Sequence, residues 1–155
     1  MEGVGVKIVL QRVKKAKVLV EGKTAGEIGT GVCLLVGIEK GDREVEADYL
    51  ADKVIRLRIF PDEQGKMNLS LVETGGSILA VSQFTLAASI KKGRRPSFDQ
   101  AESPEPAARL FNYFVERLKT SGLKVETGVF QAMMDVYLIN DGPVTFILDS
   151  KMKHL

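Results

Sequence analysis

The chain has 155 residues, 45% of them apolar and 27% charged, a composition that fits one globular domain with a sizeable core. Its 22 basic and 20 acidic residues leave a net charge of +2, so the total charge marks no strongly polyionic partner. No apolar run approaches the roughly 20 residues of a membrane helix, and residues 1–7 carry no secretory-signal pattern, so a cytoplasmic protein with no membrane contact is expected.

Histidine usage excludes more. The one histidine, His154, is the penultimate residue, in a tail with Lys151 and Lys153. A Ser-His-Asp or Cys-His nucleophile needs a positioned imidazole, and a residue in a mobile terminus does not supply one. His154 and the lone Cys33 are too few for a zinc site, and the acidic residues follow no calcium-loop pattern. No metal and no cofactor are therefore expected. Cys33 lies in an apolar run and reads as a buried thiol, and residues 149–155 read as a flexible tail.

In chain order, residues 4–13 are apolar and β-branched and residues 15–21 alternate, so both read as strands closed by a turn at Glu21-Gly22-Lys23. Residues 27–31 read as a second turn, and the continuous apolar run 32–38 suits a strand buried on both faces. Asp42 is expected to open a helix whose apolar face carries Val45, Tyr49, Leu50, Val54 and Leu57. Residues 60–65 form a turn, and 77–83 read as another buried strand. A long loop covers residues 88–105. Ser103 and Pro104 then start a helix that carries Phe111, Phe114, Val115 and Leu118 and stops at Ser121-Gly122. Strand candidates at 124–130, 135–139 and 144–148 close the chain. We expect a single compact α/β domain over residues 1–155, with mixed, largely antiparallel β-sheets and two main helices. The strand order does not follow from the pattern.

Three segments could carry chemistry. Ser82-Gln83-Phe84-Thr85 directly follows a buried strand, where polar groups either face a cleft or merely end the strand. Asn140-Asp141-Gly142-Pro143 is a turn by residue type; it could be a hairpin connection or a stiff backbone fixture, since Gly-Pro restricts the chain and can adopt a cis bond. Lys91, Lys92, Arg94 and Arg95 place four positive charges in five residues, either as a solvated loop or as a phosphate-contacting patch that Lys14, Lys15 and Lys17 could extend. No RNP1 or KH-type motif accompanies them.

Together these segments are specific. Gln11-Arg12-Val13, Gly65-Lys66-Met67-Asn68, Ser82-Gln83-Phe84-Thr85-Leu86, Arg95-Pro96-Ser97-Phe98 and Asn140-Asp141-Gly142-Pro143-Val144-Thr145 resemble the D-aminoacyl-tRNA deacylases in order and spacing, over residues 6–148. The resemblance implies hydrolysis of the ester joining a D-amino acid, or glycine, to tRNA, with L-aminoacyl-tRNA rejected. It implies a homodimer with a cross-subunit active site, in which a cis Gly142-Pro143 enters the partner's pocket. Ser82, Gln83, Phe84 and Thr85 would line that pocket, with the Phe84 and Thr85 N–H groups facing the oxyanion. Arg12 would support the Gly-Pro turn, and Met67 and Asn68 would contribute to substrate binding. The tRNA itself would meet Lys91, Lys92, Arg94 and Arg95. In such enzymes the ribose 2′-hydroxyl assists, which suits a chain without a positioned histidine. Two other readings remain: a non-catalytic RNA-binding module, and a hydrolase of small D-amino acid esters.

Overall fold

A computed structural model describes residues 5–151; His154 and Lys153 lie outside the described residues. The chain runs β1 (Lys7–Val20), β2 (Lys23–Ile28), β3 (Gly31–Gly37), α1 (Glu44–Arg56), β4 (Phe60–Pro61), β5 (Met67–Leu69), α2 (Leu71–Thr74), β6 (Ser77–Ser82), α3 (Pro104–Lys119), β7 (Val125–Thr127) and β8 (Asp135–Asp149). The main sheet has the order β2-β1-β3-β6-β7, with β8 laid along β1. Pairs β1–β2, β1–β3 and β1–β8 are antiparallel, whereas β3–β6 and β6–β7 are parallel. The described residues form a single compact α/β domain in which two long helices and a one-turn third accompany a mostly sheet core. Among the described residues no helix is long and apolar enough to cross a membrane.

The continuous apolar runs work as expected. Val32, Leu34 and Val36 of β3 and Ile78 and Ala80 of β6 pack against Leu50 and Val54 of α1 and Leu110, Phe114 and Leu118 of α3. Their neighbours Cys33, Leu79 and Val81 point the other way, into a second core with Val13, Ala16, Val18 and Ile28. Alternate side chains of a strand face opposite sides, so only a strand covered on both faces can be apolar throughout. Burial pushes the Cys33 thiol up to about 11, leaving it without thiolate character at neutral pH.

Strand β1 serves both cores. Ile8 and Leu10 face the helices, whereas Val13, Ala16 and Val18 face the second core. The change of face occurs where Val13 pairs with Asn140 and Lys15 with Ile139, two steps along β1 against one along β8. Such a bulge rotates the strand and leaves Lys14 and Lys15 both exposed. At the same point β1 changes its other partner from β3 to β2. The two strands expected at 4–13 and 15–21 are therefore one strand with a bulge.

The two closing strands are likewise one. Strand β8 stays paired with β1 on both sides of the Asn140–Val144 segment, so this turn-rich stretch is an excursion within a strand rather than a hairpin end. Helix α1 begins at Glu44 rather than Asp42, because the Asp42 carboxylate instead accepts the Glu39 N–H at 2.6 Å, while Glu46 reaches back to the Arg43 N–H at 2.9 Å. The expected turn at 27–31 is shorter, since β2 runs to Ile28, and β4, β5 and α2 are additions to the expected pattern. Of the tail expected at 149–155, Asp149 pairs with Lys7 and the Ser150 N–H donates to Val6 at 3.0 Å. Residues 152–155 lie outside the described residues.

Candidate active site

Strand β6 delivers Ser82 to the rim of a cleft of about 680 Å³. The Gln83 N–H donates to the carbonyl of Val36 at 2.8 Å, and the chain then bends into a 3-10 turn, Phe84–Ala87. That turn lies tightly on the end of β3: a Cβ on Gly37 would stand 2.7 Å from the Leu86 Cβ and 3.2 Å from the Gln83 carbonyl. Glycine at 37 is what allows this close approach.

Ser82, Gln83, Phe84 and Thr85 all line the cleft. The Gln83 Nε2 donates to the Thr85 Oγ1 at 3.0 Å, so an amide, which has no basic nitrogen, is the hydroxyl's partner. The main-chain N–H groups of Phe84 and Thr85 make no hydrogen bond to another residue among the described residues. Phe84 is 59% exposed and meets Phe98 with ring centroids 5.2 Å apart, giving the cleft an aromatic wall. Phe130, Met133 and Met134 also line it. These last residues escaped the sequence reading; the signal was an apolar run, Ala132-Met133-Met134, in a segment that forms no strand.

The basic loop belongs to the same wall. Reciprocal bonds of 2.8 Å between Ser89 and Ser97 pinch off a tip on which Lys91, Lys92, Arg94 and Arg95 are exposed. Its base is stitched to the end of β3 by Lys40 N–H to Gln100 at 2.9 Å and Glu102 N–H to Ile38 at 3.1 Å, and Ala101 and Glu102 line the cleft.

The remaining expected site residues gather elsewhere. Gly142, Pro143, Arg12, Met67 and Asn68 are absent from the lining of this cleft. Because Val13 pairs with Asn140 and Gln11 with Thr145, residues 141–144 stand opposite Arg12 alone and project from the sheet. The Gly142–Pro143 bond is cis, and both residues are exposed. Arg12 is buried beneath: its Nε donates to the Asp141 carbonyl at 3.0 Å and its Nη1 to the Ile59 carbonyl at 2.6 Å. Ile59 leads into the β4–β5 hairpin, which carries Met67 and Asn68. There Arg58 donates to both the carbonyl and the side-chain oxygen of Asn68, and Asn68 Nδ2 donates to Asp62 at 3.2 Å. The N–H groups of Lys66 and Gln64, which also bond Asp62, hold its carboxyl below the usual range. Arg58 and Asp62 were not visible as site residues in the sequence, since a charged residue near a turn has no distinguishing pattern. Among the described residues no three His, Cys, Asp or Glu side chains come together to hold a metal ion.

The described residues thus present an aromatic cleft with no histidine in its lining and, outside that lining, an exposed backbone turn bonded to a buried arginine. The family model described as D-Tyr-tRNA(Tyr) deacylase matches residues 9–149, and the chain belongs to this family of ester-cleaving hydrolases. It is 57% identical over 147 residues to a D-aminoacyl-tRNA deacylase of Geobacter sp. (strain M21), covering 95% of this chain and 99% of that one. It is 59% identical over 145 residues to a D-aminoacyl-tRNA deacylase of Bacillus velezensis, with 94% and 99% covered. Among solved structures, one named c-Myc DNA Unwinding Element Binding Protein superposes with a TM-score of 0.86 at 40% identity, over 92% of this chain and 97% of that one. Another, described as a probable eukaryotic D-amino acid tRNA deacylase, has a TM-score of 0.82 at 19% identity over 94% and 100%, and shows the shared fold.

Proposed function

We propose that this chain hydrolyses the ester of D-aminoacyl-tRNA, releasing free D-amino acid and tRNA, at a site that two copies complete. The carrying observation is a separation: Gly142 and Pro143, exposed in a cis turn, do not line the cleft that Ser82–Thr85 line in the same chain. A second copy that brings its turn to this cleft would unite them. Apolar exposure on the elements beside both supports such an interface: Met133 is 91% exposed, and Ile139, Phe146 and Ile147 of β8 face outward.

In this reading water adds to the ester carbonyl, the Phe84 and Thr85 N–H groups stabilise the oxyanion, and the intermediate expels the ribose oxygen. The substrate's 2′-hydroxyl assists the proton transfers, so the protein's work is placement. The projecting turn occupies the direction an L side chain would need. D-substrates are then accepted broadly, and glycyl-tRNA, with nothing to exclude, is cleaved as well. Met67 and Asn68, on the hairpin that follows the Ile59 carbonyl bonded by Arg12, contact the substrate. Lys91, Lys92, Arg94 and Arg95 meet the tRNA backbone in the cytoplasm.

Deacylation of matched D- and L-aminoacyl-tRNA, with light scattering on the same sample, tests this. The expected result is a dimer that turns over D- and glycyl-tRNA and spares L-tRNA. Binding without turnover would favour an RNA-binding module. Equal turnover of a small D-amino acid ester would favour an esterase indifferent to tRNA. A fully active monomer would overturn the two-copy site.

A further inference from the structure

The excursion at residues 141–144 lacks the ladder hydrogen bonds that hold the rest of β8 to β1, because only Arg12 stands opposite it. Arg12 secures its near foot through the Asp141 carbonyl. The far foot is held by a different residue. Asn140 Oδ1 accepts the Val144 N–H at 2.7 Å, and Asn140 Nδ2 donates to the Thr145 Oγ1 at 3.2 Å and, more distantly, to the Val144 carbonyl at 3.5 Å. Gln11 Nε2, from β1, donates to the same Thr145 hydroxyl at 3.3 Å. One carboxamide therefore supplies the acceptor and the donor that a neighbouring strand would otherwise offer.

This brace bears on the apex of the turn. Val144 is 7% exposed, so the foot that Asn140 grips is itself packed into the domain. Gly142, at φ +147°, lies so close above it that a Cβ would stand 2.8 Å from the Val144 nitrogen. A shift of that nitrogen moves the surface on which the apex rests.

We propose that Asn140 is a positioning residue for chiral selection, its carboxamide fixing where Gly142 and Pro143 stand relative to the substrate. The inference rests on the reading of that turn as the selector. Only a carboxamide does all of this. A carboxylate keeps the acceptor for the Val144 N–H but loses both donors and sets a negative oxygen against the Val144 carbonyl, and alanine loses everything. A purely structural Asn would affect stability alone.

The experiment measures kcat and KM of the full-length protein on D- and L-aminoacyl-tRNA, together with thermal midpoints, for Asn140→Ala, Asn140→Asp and Gly142→Ala. Misplacement by a fraction of an ångström costs on the order of tenfold or more in kcat. Asn140→Ala should lose that much on the D-substrate, keep KM for tRNA within about twofold, and lower the D-to-L ratio of kcat/KM by about tenfold, with Asn140→Asp between it and the parent. Should Asn140→Ala fail to fold, Asn140→Asp carries the same test. An unchanged ratio and kcat with only a lowered midpoint would overturn the role of Asn140. Gly142→Ala separates the two levels. If it collapses the ratio while both Asn140 variants keep it, the inference about Asn140 fails alone. If Gly142→Ala keeps the ratio, the selector reading itself fails, and the inference with it.

Discussion

Arg12 holds Asp141 twice: its Nε donates to the Asp141 carbonyl at 3.0 Å and lies 3.5 Å from the same residue's carboxylate. Arg12 is only 9% exposed, and its Nη1 donates to the Ile59 carbonyl. A planar fork serves several acceptors at fixed angles, which a lysine ammonium on a flexible stem does not reproduce. Arg12→Lys should therefore cost activity on D-aminoacyl-tRNA despite keeping the charge. Arg12→Ala should also destabilise by about 1–3 kcal/mol through the unpaired carbonyls it leaves. Denaturant melts beside steady-state kinetics check both; a fully active Arg12→Lys would disconnect the turn from its support.

Thr85→Ala should retain activity within about tenfold of the parent, since general-base activation, typically worth about 10²–10⁴-fold, finds no group to supply it among the described residues. The Thr85 hydroxyl accepts from the Gln83 amide at 3.0 Å, and among the described residues no imidazole or carboxylate is bonded to it. Single-turnover deacylation decides. A fall of about a thousandfold or more would make Thr85 the nucleophile.

Replacing Lys91, Lys92, Arg94 and Arg95 together by alanine should raise KM for tRNA and flatten its salt dependence. Every phosphate that is no longer neutralised reduces the slope of log affinity against log salt by about 0.7–0.9. The loop's base, held to residues 38–40, is untouched by these changes, so the turnover of bound substrate should change much less. An unaltered salt slope would return the loop to a solvated role.

Stability should fall as pH rises through neutrality because of Asp42. Burial, followed by the nearby Glu39, Glu46 and Asp149 charges, lifts its carboxyl from 3.8 to about 7 against the lowering effect of the Glu39 N–H. Among the described residues its Oδ1 has no hydrogen-bond partner, and the Oε1 of buried Glu39 has only Lys7 Nζ at ion-pair distance, 3.6 Å. An acid whose folded pKa is raised binds its proton more tightly when folded. That stabilisation is complete below about 3.8 and is lost as pH climbs through about 7. Asp42→Asn should remove the slope, and should raise stability above pH 7 by about 1–2 kcal/mol after discounting for solvent screening. Thermal midpoints at several pH values for both proteins provide the check; parallel curves would show that Asp42 is ionised throughout.

Much of the fold was legible because it is written locally. The unbroken apolar runs of β3 and β6 announce burial on both faces, and the periodic apolar face of α3 announces its packing side. What escaped depends on partners far away in the chain. Gly-Pro after Asn-Asp signals a change of direction whether it ends a hairpin or lifts out of a strand, and only the pairing of residues 135–149 with residues 7–19 distinguishes them. The expected break in β1 between Val13 and Lys15 has the same cause: a bulge interrupts alternation just as a loop does. At the site, Ser82–Thr85 was visible as polar residues behind a buried strand, and the motif resemblance singled it out. Asn140, Arg58 and Asp62 act through hydrogen bonds whose geometry no residue pattern encodes.

The excursion in β8 also bears on how such a protein changes over time. Its feet are pinned by Val13 opposite Asn140 and Gln11 opposite Thr145, so the ladder resumes in step on either side. Residues can be exchanged, added or removed at the crest without sliding the strand and turning its apolar side chains to the wrong face. The part that meets the outside world is thereby insulated from the part that folds. If the crest is the selector proposed above, such a chain can revise what it recognises through a few crest positions while its scaffold stays constant, and a different crest grafted between the same feet should alter selectivity.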